Sequence, residues 1–176
     1  MALEPRAVTA EDGPSPELAD MEQRLLISAV LTTGVLSLAM AEMFGLPLTN
    51  VVPPAVRNWI ELGLATPVVL WGGWPFFVRA VASVRQRSPN MFTLIGLGTG
   101  VAYVYSLVAT VVPWIFPPGF RGEGGALEVY FEAAAGITAL VLLGQVLELR
   151  ARAHTNGALK VPAGAGAEDG APRRRW

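Results

Sequence analysis

The chain has 176 residues, of which 52% are hydrophobic and 15% charged, whereas soluble domains are roughly 25% charged. Its formal net charge of −1 gives no basic field for nucleic acid, so nucleic acid is not expected as a partner. Cysteine is absent, which excludes disulfides, thiolate metal sites and thiol catalysis from this sequence. Long apolar runs with few charges predict a multi-span membrane protein whose partner is a lipid bilayer.

The two ends of the sequence differ in composition from the middle. Residues 1–22 carry acids and prolines with little hydrophobic periodicity, which predicts a disordered cytoplasmic linker and no cleavable signal peptide. Residues 161–176, VPAGAGAEDGAPRRRW, are a low-complexity run ending in arginines. This run predicts a disordered tail, or one produced by a frameshift.

A four-span membrane domain is predicted between these ends, over residues 23–160. Each apolar stretch is long enough to cross about 30 Å of hydrocarbon. The predicted spans are about 24–44, 58–84, 90–112 and 127–149. The RQRSPN connection between the second and third spans is short, so they form an antiparallel hairpin. The predicted fold is an all-α membrane protein with four transmembrane helices in two antiparallel hairpins.

Lysine and arginine positions set the expected orientation. With both termini in the cytoplasm, most of the basic residues lie inside, and only Arg57 and Arg121 lie outside. The inner group is Arg6, Arg24, Arg79, Arg85, Arg87, Arg150, Arg152, Lys160 and Arg173–Arg175. We therefore expect a multi-pass protein of the cell membrane, with Glu132 near the outer face and Glu148 near the inner face.

These two carboxylates lie near the two ends of the otherwise apolar fourth span. One charged side chain inside a bilayer costs about 3 kcal/mol, and at 1.5 Å per residue the two are about 24 Å apart. One interpretation is a pair of stations for a cation at the two membrane faces. The other is that both are solvated at headgroup depth and idle. Glu42 and Glu61, near the outer ends of their spans, are expected to be interfacial.

The second span contains a double glycine, Gly72–Gly73, between Pro67 and Pro75. Such a cluster predicts a kink or break in a membrane helix. The sequence after it combines large apolar residues with three arginines, as in an amphipathic helix along the cytoplasmic interface. Arg79, Arg85 and Arg87 then form either a basic platform on which a partner docks or ordinary positive-inside arginines.

Other polar and small residues carry weaker signals. Gly96 and Gly100 have the small-xxx-small spacing that lets membrane helices pack closely. His154, the only histidine, is expected on the surface, and the methionines are expected to pack or face lipid rather than bind metal. The sequence has no P-loop and no Ser/His/Asp set.

Two longer stretches resemble a known family. NMFTLIGLGTGVAYVYS and VYFEAAAGITALVLLGQVLELRAR are similar to the first two core spans of copper-transporting P-type ATPases of the heavy-metal class. The preceding pair of spans resembles the two additional N-terminal helices of that class. The resemblance covers roughly residues 17–160.

The resemblance implies roles for individual residues. Glu148, in LELRAR, matches a glutamate that receives Cu(+) at the cytoplasmic entrance, and Glu132, in YFEAAA, matches one associated with release. Gly72 and Gly73 match the bend of a platform for a copper chaperone or the enzyme's own metal-binding domains. Leu97 stands where the family has an entrance methionine, so one soft ligand is missing.

Much of the family's machinery would lie beyond residue 160. Its Cys-Pro-Cys site, phosphorylated aspartate and ATP-binding domain are not present in this sequence, so ATP and Mg are expected only for a full-length member. The sequence predicts an N-terminal fragment of a Cu(+)-exporting ATPase that is inactive alone. The alternatives are a small non-enzymatic membrane protein that binds copper or its chaperone, and a non-functional remnant.

Overall fold

The computed structural model describes residues 16–41, 52–120 and 127–158, with side chains as far as His154. This part of the chain contains no β-strand. Its five α-helices are α1 (Pro16–Met40), α2 (Pro54–Thr66), α3 (Trp74–Arg85), α4 (Met91–Val111) and α5 (Phe131–Ala158). Predictions for residues 1–15, Glu42 and the 161–176 tail lie outside the described residues.

The helices confirm the predicted all-α architecture. Three of them, α1, α4 and α5, are long and apolar enough to cross a membrane. The fourth candidate is a broken span, in which Pro54–Gly72 and Trp74–Arg85 meet at 55°. The described part therefore holds up to four spans, with the second one kinked at the double glycine as predicted.

The first helix begins earlier than the sequence indicated. Residues 16–22, which we expected in a disordered linker, form the first turns of α1. Proline is favoured in the first turn of a helix, and the acidic Glu17 there suits the positive end of the helix dipole. An ion pair between Asp20 and Arg24, one turn apart, also supports these turns.

The predicted second span is divided at the break. Regular α-helix stops at Thr66, and Pro67–Gly72 forms a π-helical segment. The chain from Trp74 onward is a separate helix, α3. The predicted span 58–84 thus corresponds to two helical pieces, Pro54–Gly72 and Trp74–Arg85, that meet at 55°.

The break leaves one backbone carbonyl without its helical partner, and α1 supplies another. Pro75 has no N–H to donate to the carbonyl of Trp71, four residues earlier. The Arg24 guanidinium donates to that oxygen over 2.5 Å and lies 4.9 Å from the centre of the Trp71 ring. α1 therefore holds the bend from outside the broken helix.

α5 occupies the centre of the bundle, in contact with α1, α2, α4 and the π-helical segment. Ala134 and Ala135 are fully buried there beside Val35, Val68 and Val69. Small residues of this kind let membrane helices approach closely. Large apolar side chains face outward instead, among them Leu94, Val101 and Leu140. An apolar surface of this extent suits a lipid bilayer.

A tight turn joins α3 to α4. Asn90 caps α4, because its side-chain oxygen accepts from the backbone N–H groups of Phe92 and Thr93, and Thr93 returns a bond to the Asn90 N–H. This is a reciprocal capping box. It accounts for the close agreement between the predicted span 90–112 and the observed helix Met91–Val111.

Candidate functional site at the two ends of α5

The two carboxylates singled out by the sequence lie at opposite ends of α5. Glu132 is in its first turn, and Glu148 is sixteen residues further on, about 24 Å away along the helix axis. The structure does not bring them together. Within the described residues no three His, Cys, Asp or Glu side chains gather into a group able to hold a metal ion.

Both carboxylate oxygens of Glu148 have partners. Arg152 donates to Oε1 over 2.5 Å from one turn later, and the side-chain amide of Gln145 donates to Oε2 over 3.2 Å. The Glu148 side chain is 48% exposed, so the other helices of the bundle do not enclose it. The carboxylate is thus accessible and is held in place on both sides.

Arg79 differs from the other two arginines of the predicted platform. It donates to Gln145 Oε1 over 2.7 Å, lies 3.6 Å from Glu17 Oε1, and stacks 5.2 Å from the centre of the Phe92 ring. Its guanidinium therefore joins α3 to α1, α4 and α5. The Arg79 side chain is therefore partly exposed and partly in contact with three other helices of the bundle.

Arg85 and Arg87 are exposed at the end of α3. Neither has an ion pair or side-chain hydrogen bond among the residues that the structure describes. Arg85 borders an open apolar groove of about 480 Å³ between α3 and α4, which Leu97 also lines. Leu97 is 63% exposed. The position that the resemblance matches to an entrance methionine therefore lies on the exposed surface of the bundle and not in its interior.

Gly72 and Gly96 lie at close contacts between helices, and Gly73 lies at a close contact within the bend. A Cβ on Gly72 would overlap the Ser28 hydroxyl of α1, and one on Gly73 would overlap a backbone oxygen, that of Val69. A Cβ on Gly96 would stand 2.9 Å from the Cβ of Ala80 in α3, while the same atom on Gly100 would make an ordinary contact. The double glycine and Gly96 therefore stand where a larger residue does not fit without movement.

At the other end of α5, Glu132 is half-buried, and its charge interacts with Arg57 and Glu61 of α2. Glu61, which the sequence predicts near the outer end of its span, is only 2% exposed, so its side chain is buried among the helices. Its Oε1 lies 3.6 Å from Arg57 Nε and makes no hydrogen bond within the described residues. We call Arg57, Glu61 and Glu132 the outer charge cluster, after the membrane face at which the sequence predicts Glu132.

Asn58 belongs to the same face of α2. It is buried, and its amide donates to the Leu127 carbonyl just before α5 over 3.2 Å. The sequence contained a usable signal for this face: residues 57, 58 and 61 share one side of a helix. Asn58 and Glu61 lie on that side of α2, and both are buried against the rest of the bundle.

Comparison with known proteins gives close relatives. No protein-family model matches the chain. It is 58% identical over 161 residues to a "Copper-transporting P-type ATPase" of Rhizobium leguminosarum bv. viciae. It is 57% identical over 159 residues to a "Silver exporting P-type ATPase" of Salmonella typhimurium. A "Copper-exporting P-type ATPase" of Legionella pneumophila is 52% identical over 160 residues.

These matches are unequal in coverage. They take in 90–91% of this chain. The chain in turn spans only 19–21% of the length of those relatives. The resemblance drawn from the two quoted motifs is confirmed at the level of the family.

Proposed function

We propose that this chain, which is related to the copper-transporting P-type ATPases, forms the part of a Cu(+)-exporting pump that receives the ion at one membrane face and releases it at the other. The observation that carries the proposal is 58% identity over nine-tenths of the chain. The bent second span and the apolar helices of the bundle are compatible with it. The alternative, a small copper-binding membrane protein, would work without the rest of a pump. A test in which the chain must function inside a complete pump separates the two.

The proposed orientation puts the Glu148 end of α5 in the cytoplasm. The arginines at that end, Arg79, Arg85, Arg150 and Arg152, then follow the positive-inside rule. Glu132 faces the opposite side together with Arg57. In this orientation the platform helix α3 lies at the same face as Glu148.

Glu148 acts as the entrance carboxylate in this proposal. Its exposure and its position at the end of a span support the assignment. Carboxylate oxygen is a poor match for the soft Cu(+) ion, which prefers thioether and thiolate sulfur. A weak ligand suits a station that must pass the ion onward rather than retain it.

The outer charge cluster acts as the release station. Two carboxylates and one guanidinium leave one negative charge uncompensated when all three are ionised. That charge favours the binding of one monovalent cation. Glu132 is only half-buried, so it connects the cluster to the surface of the bundle. Glu132 is the residue proposed to hold the departing ion, with Glu61 and Arg57 setting the local field.

α3 serves as the docking surface for a copper chaperone or a metal-binding domain. Arg85 and Arg87 supply the accessible charges, and the apolar groove beside Arg85 supplies contact area. A partner with an acidic rim and an apolar centre fits this combination. Arg79 contributes less to docking than Arg85 and Arg87, because a partner must first displace its contacts with Gln145 and Glu17.

A chimera tests the proposed function. Residues 17–160 would replace the matching segment of the Rhizobium relative, and copper tolerance would be measured in a copper-sensitive bacterium. We expect the chimera to restore tolerance and the Glu148→Gln and Glu132→Gln variants to lose most of it. Glu128→Gln, a change at an exposed carboxylate near Glu132, is the matched control. A chimera present in the membrane at normal amounts without restoring tolerance would overturn the proposal.

A further inference from the structure

A continuous line of side-chain hydrogen bonds connects the docking helix to the end of α5. Arg79 Nη1 donates to Gln145 Oε1 over 2.7 Å. Gln145 Nε2 donates to Glu148 Oε2 over 3.2 Å. The other oxygen of Glu148 accepts from Arg152. Gln145 is therefore the only side chain between Arg79 and Glu148 along this line.

The chemistry of the three groups fixes the direction of the line. A guanidinium can only donate, and an ionised carboxylate can only accept. The amide of Gln145 has one face of each kind, so it must turn its oxygen to Arg79 and its NH₂ to Glu148. While Arg79 holds the oxygen, the NH₂ is kept on Glu148 Oε2. An ion that binds Glu148 then competes with a fixed donor.

Arg79 can be reached from outside. Its side chain is 38% exposed, and its acidic neighbour Glu17 is 57% exposed and only 3.6 Å away. An acidic side chain of a docked partner could therefore take the guanidinium in place of Gln145. Arg85, on the same helix, has no contact of this kind among the residues described here.

We infer that Gln145 is a positioning residue through which the state of Arg79 controls access of a monovalent cation to Glu148. This inference rests on the proposed entrance role of Glu148. Engagement of Arg79 by an acidic partner releases the amide, which leaves Glu148 Oε2 and strengthens cation binding there. Docking and loading are thereby coupled at the same membrane face.

A double-mutant cycle on the full 176-residue chain in lipid nanodiscs tests the coupling. Ag(+), a redox-stable monovalent probe, would be titrated against the wild type, Arg79→Gln, Gln145→Leu, which adds no sulfur ligand, and the double variant. Each single change frees Glu148 Oε2, so we expect each to raise the affinity by about three- to tenfold. The double variant should gain no more than the larger single change, because both remove the same restraint.

Charge and folding are controlled by two further variants. Arg85→Gln removes the same charge from the same helix. Any gain in Ag(+) affinity that comes only from the lost positive charge therefore appears in this variant too. The gain from Arg79→Gln must be larger. Arg79→Lys keeps a charge and a donor but loses the planar guanidinium that stacks on Phe92, so its affinity should lie between those of the wild type and Arg79→Gln. A merely structural role for Gln145 would lower thermal stability without this pattern of affinities.

The outcomes separate the inference from the proposal on which it rests. If Glu148→Gln binds Ag(+) as the wild type does, the entrance role itself fails. If Glu148→Gln loses binding but the effects of Arg79→Gln and Gln145→Leu add, the entrance role stands and the coupling through Gln145 is wrong. Equal affinities for Arg79→Gln and Arg85→Gln would also overturn the coupling.

Discussion

The Arg24 guanidinium donates a 2.5 Å hydrogen bond to the carbonyl oxygen of Trp71, the group that Pro75 deprives of a helical donor. An unpaired carbonyl is costly where no water can reach it. The break in the second span is thus stabilised by a residue 47 positions earlier in the chain. The bend therefore depends on the packing of α1 against the second span.

Replacing Arg24 should therefore destabilise the bend. Hydrogen bonds to charged groups contribute about 1.5–3 kcal/mol, and we expect Arg24→Met to lower the free energy of unfolding by about that amount. Unfolding in mixed micelles with increasing SDS measures it. Arg85→Met removes an exposed arginine without this bond and should change stability little. Equal losses in the two variants would contradict the assignment.

The double glycine gives a second prediction. A Cβ at Gly73 would overlap the Val69 carbonyl oxygen, which cannot rotate away as a side chain can. Gly73→Ala should lower the free energy of unfolding by about 1–3 kcal/mol, the usual range for forced overpacking. The matched control is Gly98→Ala in α4, where a Cβ meets nothing within 4 Å. That variant should be neutral or slightly more stable, because alanine favours helix.

The outer charge cluster gives a third prediction, on stability. Arg57→Met leaves the buried Glu61 carboxylate without its guanidinium, and breaking a buried pair costs about 3–5 kcal/mol. The double variant Arg57→Met/Glu61→Leu removes both charges and should recover most of the loss. SDS unfolding of the single and double variants measures the difference. Additive losses would show that the two side chains do not stabilise each other.

Docking on α3 gives a fourth prediction. A copper chaperone with an acidic face should bind the nanodisc-embedded chain, and the Arg85→Gln/Arg87→Gln double variant should bind it several-fold more weakly. Because exposed charges are screened by salt, the wild-type affinity should fall as salt rises, and less so in the variant. Arg79→Gln, measured alongside, should weaken binding less than the double variant. Salt-independent binding would rule out this basic surface as the docking site.

Much of the fold could be predicted because its signals are local. The third predicted span was placed within one residue of α4 at each end, since a capping residue, Asn90, precedes this helix and Pro113 follows it. The bend was placed by the glycines and prolines around Gly72. The start of α1 was missed because its first turns are polar, and their ion pairs to Arg79 and Arg150 join residues far apart in the chain.

The sequence by itself determined the helical membrane class, the bend and the family, because hydropathy, helix-breaking residues and long motifs are all read along the chain. Only the tertiary structure decided that Glu61 is buried beside Arg57, that Arg24 serves the Trp71 carbonyl, and that Arg79 is tied through Gln145 to Glu148. Periodicity says which side of a helix a residue occupies. Which partner helix faces that side depends on packing between distant segments, and that packing decides whether a charge is solvated, paired or part of a path.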